Sequence, residues 1–257
     1  LIQKKILFYW RNNKDKKKFK NANNYFLKKK QGKNFNKKNL VNYKKNQIKN
    51  YLPILPTNKR IVSFFTSRDY EKASIVDQEF NQKKYFEKFK KIIKKFNDIH
   101  LVIRVHPTFG NLKSDDDKEW SKHKSKNVTV ITSQEKVDSY ALMMRSDIVA
   151  TYTSSIIVEA AYFGKPSISI GHFWWNGMNI VEEPKTESEL KKILNKNYKF
   201  KKKNKIGCLK VSNYFLNYGI KYKYYSPISN SKGKFLGQIL TWKPHIIQNI
   251  EKYIRKF

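Results

Sequence analysis

Between Arg60 and Ile170 the chain switches repeatedly between two hydrophobic periods, and that alternation restricts it to one kind of fold. Ile61–Phe65, His100–Val105, Val128–Ile131, Ile148–Tyr152 and Ser167–Ile170 are short runs dominated by apolar residues, many of them β-branched. Continuous apolar runs, rather than alternating ones, suit strands covered on both faces. The intervening segments carry apolar residues at helical spacing. Tyr85–Phe96 places Phe86, Phe89, Ile92, Ile93 and Phe96 on one side, with Lys between them. Val137–Arg145 is predicted to turn Tyr140, Ala141 and Met144 inward. Ser154–Phe163 reads as a helix capped by Ser154 or Ser155 and stopped at Gly164. Asn111–Lys126 reads as a polar loop or helix, and Glu187–Leu194 as a short helix after a Thr186 cap. Strand and helix in repeated alternation predict an α/β fold with a doubly wound parallel sheet.

The flanks have a different texture. Residues 1–59 form a basic, partly helical lead-in, in which Ile2, Ile6, Leu7, Phe8 and Trp10 suit a short packed element. Pro53 and Pro56 stop any helix and mark a boundary. Residues 60–198 are the expected Rossmann-like unit. Residues 199–257 form an extension with a charged linker at Lys201–Lys203 and an aromatic-rich stretch over Tyr214–Tyr225. A closing helix is expected over Trp242–Phe257, with Ile246, Ile247, Ile250 and Ile254 on one face. There is no internal repeat.

Composition bounds the function. The chain has 257 residues, with 55 Lys and Arg against 20 Asp and Glu, a formal charge of +35. Much of the excess is Lys, accompanied by abundant Asn, Ile, Tyr and Phe, as AT-rich codons supply, so most of it reads as solvated faces. Attraction to an anionic membrane surface is the second explanation. Nucleic acid is not expected as a partner, because no zinc finger, RNP-like motif or helix-turn-helix accompanies the charge. Aromatic residues make up 15% of the chain, too many to leave unburied in a disordered polymer. The lone Cys208 excludes an intramolecular disulfide and a cysteine-rich zinc site. No apolar run approaches the roughly 18 residues of a membrane span, and no signal-peptide pattern is present. The chain opens on Leu1 rather than Met, which raises the expectation of a missing N-terminal part.

In a doubly wound sheet, ligands bind beyond the carboxyl ends of the strands. Three polar groups fall there. The first is Thr66-Ser67-Arg68-Asp69-Tyr70-Glu71, directly after the first strand, where Ser67 and Arg68 suit a phosphate or an acceptor, and a solvated loop is the plain alternative. The second is Arg104-Val105-His106-Pro107. Side chains in a strand repeat every two residues, so Arg104 and His106 are predicted on one side, where they suit a phosphate or a base edge. His106 serves equally as a structural histidine at the strand turn. The third is Thr153-Ser154-Ser155, where hydroxyls and free N–H groups at a helix start suit an anion, or simply cap the helix. Glu159, one turn into that helix, suits a ribose hydroxyl or a neighbouring Lys. Asp115-Asp116-Asp117 reads as a solvated turn rather than a metal site, and no metal is expected.

Together these groups read, in order, as a polar loop, R-x-H-P and T-S-S-x-x-x-E-A-x-x-x-G-K-P. The set resembles the C-terminal, donor-binding half of GT-B glycosyltransferases of the capsule polysaccharide biosynthesis family. The Kdo-transferase-type proteins are its nearest look-alikes; CDP-glycerol glycerophosphotransferases and GT-B sialyltransferases are more distant. The resemblance covers about Arg60–Leu194 and rests on Thr66, Ser67, Glu71, Arg104, His106, Pro107, Ser154, Ser155, Glu159, Gly164, Lys165 and Pro166. It implies a metal-independent transferase, with no cofactor, that moves a sugar from a nucleotide donor. Cytidine-linked donors are the expected kind, and the acceptor is a surface polysaccharide or a lipid-linked chain. It also implies that His106 contacts the nucleotide, that Ser154 and Ser155 hold phosphate, and that Glu159 lies near the ribose or base. The expected place is the cytoplasm, peripheral to the inner face of the membrane. The chain departs from the family in lacking a βαβ pattern before residue 60 and in showing no acidic general base of the family's pattern. Two other readings stay open: a nucleotide-binding fragment that partners a separate chain, and an enzyme like UDP-GlcNAc 2-epimerase, which shares the fold and a similar serine/glutamate motif.

Overall fold

The computed structural model describes residues 2–32, 47–67, 81–107, 115–171, 175–200, 205–219, 223–229 and 232–241. The five apolar runs form one sheet of strands β1 (Arg60–Phe65), β2 (Ile99–Arg104), β3 (Val128–Ile131), β4 (Ile148–Thr151) and β5 (Ser167–Ser169). Every pairing is parallel, and the spatial order is β3-β2-β1-β4-β5. The register makes the carboxyl edge level. Phe65 pairs with Arg104 on one side and Thr151 on the other, and those two pair onward with Ile131 and Ser169. The outer side of β5 is not left open, because Glu182 exchanges backbone hydrogen bonds with Ser167 and Ser169 at 2.8 and 2.9 Å.

Helices cover both faces, as the doubly wound reading requires. On one face α3 (Gln82–Ile93), α4 (Asp116–Ser121) and α7 (Glu187–Leu194) bury Phe86, Phe89, Trp120, Leu190 and Leu194 against Phe64, Leu101, Ile103 and Ala150. Phe64, Phe86 and Trp120 form an aromatic knot, with centroids 4.8 Å apart for the first pair and 4.9 Å for the second. Full burial of each such side chain stabilises the fold by about 1.5–3 kcal/mol. Trp120 is the one apolar residue of α4, and its burial holds that helix on the sheet. On the other face α5 (Ser139–Arg145) and α6 (Ile156–Tyr162) pack Leu142, Met143 and Ala160 on Ile61, Phe65, Val102 and Val149. Helix α5 corrects the expected orientation. Asp138 caps it by accepting from the N–H groups of Tyr140 and Ala141, which sets its rotation so that Leu142 and Met143 face the sheet and Met144 is exposed.

The lead-in supplies α1 (Ile2–Asn12) and α2 (Lys18–Lys30), which pack on α8 (Lys205–Asn217). Ile6, Ala22, Phe26, Cys208, Val211 and Tyr214 make their shared core, which continues into Ile157, Val158 and Tyr162 of α6. Phe26 stacks on Tyr162 at 4.1 Å. The sequence reading missed α8, whose apolar residues do not follow a single stripe, since it is buried over much of its circumference. It also missed a small antiparallel sheet of β6 (Tyr225–Ser229), β7 (Lys232–Phe235) and β8 (Gln238–Thr241). The turn between β7 and β8 is made by Leu236 and Gly237, both at positive φ. The expected closing helix over 242–257 lies outside the described residues.

Candidate functional site

The strand order reverses between β1 and β4, so the crevice of this sheet opens where those two strands end. Three segments meet there: Thr66 and Ser67 after β1, His106 after β2, and Thr151–Ser155 at the end of β4. Hydroxyl groups stitch them together. The Thr151 hydroxyl donates to the Phe65 carbonyl at 2.8 Å and accepts from the Ser154 N–H at 3.0 Å. Across the crevice, the Thr153 hydroxyl donates to Ser67 Oγ at 3.1 Å. On the other flank the Thr66 N–H donates to the Arg104 carbonyl, and Thr66 Oγ1 accepts the His106 N–H at 2.9 Å. Thr66, Ser67, Thr151 and Thr153 are all buried.

Gln82, which the sequence reading passed over, locks the first loop. This buried side chain accepts from the Ser67 N–H at 2.6 Å and donates to the Ser67 carbonyl at 3.0 Å. The only local sign of it is its place one residue after Asn81, which caps α3 by accepting from the Lys84 N–H. Tyr85, in the first turn of the same helix and exposed, lies with its ring 5.1 Å from that of Tyr152. Gly171, after β5, sits so close to Tyr152 that a β-carbon there would lie 2.5 Å from its carbonyl oxygen.

The start of α6 is half-buried at Ser154, Ser155 and Ile156. Ser155 stands at the cap position, yet its side chain makes no capping hydrogen bond. The N–H groups of Ile157 and Val158 turn back to the carbonyls of Ser154 and Ser155. The N–H groups of Ser155 and Ile156 have no partner among the described residues. A helix whose capping hydroxyl is left unused retains donors for something else.

Two expected ligand groups hold the scaffold in this structure. Arg104 is 1% exposed. Its guanidinium donates to the carbonyls of Thr132, Glu135 and Val137 and to Ser139 Oγ, which fixes the connection from β3 to α5. Burial lowers its pKa to about 10, opposed by the nearby Glu135 and Asp117 carboxylates. Arg104 pairs with Phe65 on one side and Ile131 on the other, and its side chain reaches the connection from β3 to α5. Glu159 is 4% exposed and takes the lysine alternative: its carboxylate binds Lys29 of α2 and the Tyr140 hydroxyl of α5. Burial first, and then the Glu159 charge, raise the Tyr140 pKa above its ordinary value. The structure therefore brings Ser67, His106, Ser154 and Ser155 to the crevice and places Arg104 and Glu159 behind it. Arg68 and Glu71 lie outside the described residues.

The acidic run is more than a solvated turn. Asp117 accepts from the Ser133 N–H at 2.7 Å and from its hydroxyl at 2.5 Å, and so holds the loop that Arg104 also grips. Among the described residues there is no cluster of His, Cys, Asp and Glu suited to a metal ion, and no helix long and apolar enough to cross a membrane.

This sheet and its crevice define a doubly wound, Rossmann-like α/β fold. The family model described as UDP-N-acetylglucosamine 2-epimerase matches residues 40–217, and the chain belongs to that family. Among solved structures, the Thermosulfurimonas dismutans KpsC beta Kdo 2,4 transferase resembles it with a TM-score of 0.49 and 14% identity, over 79% of this chain and 57% of that one. The beta Kdo 2,7 transferase of the same organism's KpsC gives a TM-score of 0.47 and 16% identity, over 82% and 57%. The chain spans little more than half the length of either. Among curated protein sequences none matches.

Proposed function

We propose that the crevice between β1 and β4 binds a nucleotide-activated sugar, and that the protein transfers the sugar to an acceptor of a surface polysaccharide or lipid-linked chain. The observation that carries this reading is the start of α6. Two N–H groups and two serine side chains that have no partner among the described residues lie at the carboxyl edge of the sheet, at its point of reversal. In such a transfer the bond from the anomeric carbon to the phosphate oxygen breaks, the acceptor hydroxyl oxygen bonds to that carbon, and the hydroxyl proton passes to water. The phosphate keeps the electron pair, so negative charge grows on it. Donors already fixed in place stabilise that charge without reorganising. Ser154, Ser155 and the N–H groups beside them take this part. His106 bonds phosphate or nucleoside from the β2 side, and Ser67 and the backbone after β1 line the floor. Arg104, Gln82 and Thr151 act by positioning these groups. Cytidine nucleotides are the donors we favour, on the motif resemblance.

Membership of the epimerase family supports a second reading, in which the same crevice holds a UDP-sugar that is altered at its own ring instead of being transferred. A thermal-shift panel of CMP, CDP, UDP and GDP on the purified chain tests nucleotide binding, because a ligand of the folded state raises apparent stability by mass action. Stabilisation by CMP or CDP supports the cytidine donor. Stabilisation by UDP alone, with conversion of UDP-N-acetylglucosamine in the absence of an acceptor, supports the epimerase. No shift with any of the four refutes the nucleotide site. The lysine-rich flanks also suit a peripheral position at an anionic membrane, each nearby Lys contributing on the order of 1 kcal/mol. Equal sedimentation with anionic and neutral vesicles at low salt would refute that placement.

A further inference from the structure

We infer that a pocket between α1, α2 and α8, separate from the nucleotide crevice, binds one neutral sugar ring. Its walls follow helical spacing. Asn21, Asn24 and Lys28 lie at i, i+3 and i+7 on α2, so they share one side of that helix. Leu216 and Asn217 face them from the end of α8, and Asn13 and Asp15 close the bottom from the turn between α1 and α2. Asn is a poor residue for a helix interior, because its amide competes with the backbone for hydrogen bonds. Its repetition on facing sides of two helices places amides around a single cavity.

The walls are held in place. Asn13 Nδ2 donates to Asn213 Oδ1 at 2.7 Å, and Asn217 Nδ2 donates to the same oxygen at 3.0 Å. Asn13 Oδ1 accepts the Asp15 N–H, and Asp15 accepts from Asn21 Nδ2 at 3.0 Å. Behind this ring Asn213 is 1% exposed, and its Nδ2 has no hydrogen-bond partner among the described residues. A buried donor left in that state costs about 1–3 kcal/mol. The Asn24 amide makes no hydrogen bond among the described residues, and neither do Asn21 Oδ1 and Asn217 Oδ1.

Size and charge select the ligand. The cavity is about 220 Å³. That is below the roughly 300–1,000 Å³ of pockets for drug-sized ligands, and too small for a nucleotide sugar. A space of that size suits a single ring. Its lining carries one charge of each sign, Asp15 and Lys28, and the Lys18 ammonium lies close by, donating to the Asn13 carbonyl at 3.3 Å. Adjacent sugar hydroxyls both donate and accept, as side-chain amides do, and Leu216 offers an apolar wall to the ring's C–H groups. Assigning the sugar to the acceptor chain rests on the transferase reading; the binding itself does not.

Saturation-transfer NMR on the full chain, with glucose and N-acetylglucosamine as probes at millimolar concentration, tests the pocket. At least one probe is expected to receive transfer. The signal should disappear in Asn24→Leu, which fills the cavity with a better helix former, and weaken in Asn24→Ala. Nucleotide binding should be unchanged in both variants, and Ser155→Ala should keep the sugar signal. Absence of transfer to either probe overturns the inference. So does transfer that persists undiminished in both Asn24 variants, or inorganic phosphate displacing the sugar. If nucleotides fail to bind while the sugar signal follows Asn24, the nucleotide reading fails and the pocket stands.

Discussion

Ser155→Ala separates a ligand-binding helix start from an ordinary cap. A serine at a helix cap usually contributes about 0.5–2 kcal/mol through a side-chain bond to a backbone N–H of the first turn. Here that bond is not made. Removing the hydroxyl should therefore leave the unfolding free energy from urea titration within about 0.5 kcal/mol of the parent, the ordinary range for a surface change. Its effect should fall on the nucleotide. A hydrogen bond to a charged group contributes about 1.5–3 kcal/mol, and 1.4 kcal/mol is a tenfold change in affinity. Loss of one donor to phosphate thus weakens binding by roughly 10- to 150-fold. Isothermal titration with whichever of CMP, CDP, UDP or GDP stabilises the parent measures it. His106→Ala should show a similar loss, without the urea effect that a buried structural histidine would give. If Ser155→Ala binds like the parent and unfolds about 1 kcal/mol more easily, the serine is a cap and the phosphate assignment fails.

Asp117→Ala should destabilise the protein by about 1–3 kcal/mol, because it strands the buried Ser133 N–H and hydroxyl; Asp116→Ala and added EDTA should leave nucleotide affinity unchanged in the same titrations. Gly171→Ala should cost about 1–3 kcal/mol in urea unfolding, as its β-carbon would meet the Tyr152 carbonyl at 2.5 Å. The Cys208 thiol, pushed up to about 12 by burial, should resist a thiol reagent at neutral pH and react once in denaturant; labelling of the folded chain would refute its burial. The hydrogen bond from Arg60 holds Asp98 below the ordinary carboxylate range. Its stabilisation is present above the unfolded value of about 3.9 and lost as pH falls through the lowered folded value. Acid unfolding of Arg60→Met should lack this component, which is small, since the Asp98 side chain is 45% exposed.

The sheet was legible because its strands are buried on both faces, which compels uninterrupted runs such as Ile61–Phe65 and leaves little room for another period. The edge chemistry was legible as residue types: Thr66, Ser67, His106 and the Thr153–Ser155 group stand directly after those runs. Partners at long sequence separation were not. Glu159 looks the same in sequence whether it meets a ribose or Lys29, 130 residues away. Arg104 gives no local sign that it will lie under the β3–α5 connection and satisfy carbonyls 28–33 residues further on. Helix α8 shows no single stripe because it is buried on several sides, and amphipathic reading has no purchase on such a helix.

The same long-range partners explain why a seven-residue helix can present a site at all. Helices of α6's length are marginal by themselves, and most of their stability comes from packing. Sheet contacts hold one side of α6 through Ala160. The other side is held by the lead-in: Phe26 stacks on Tyr162, Asn23 accepts from the Tyr162 hydroxyl, and Lys29 binds Glu159. Tyr140 reaches the same carboxylate from α5. Glu159 thereby joins three helices one turn behind Ser155, and the donors at the crevice are aimed by residues that never touch it. The basic helices before the sheet are thus part of what positions the proposed phosphate contacts, although they contain no motif that would announce it.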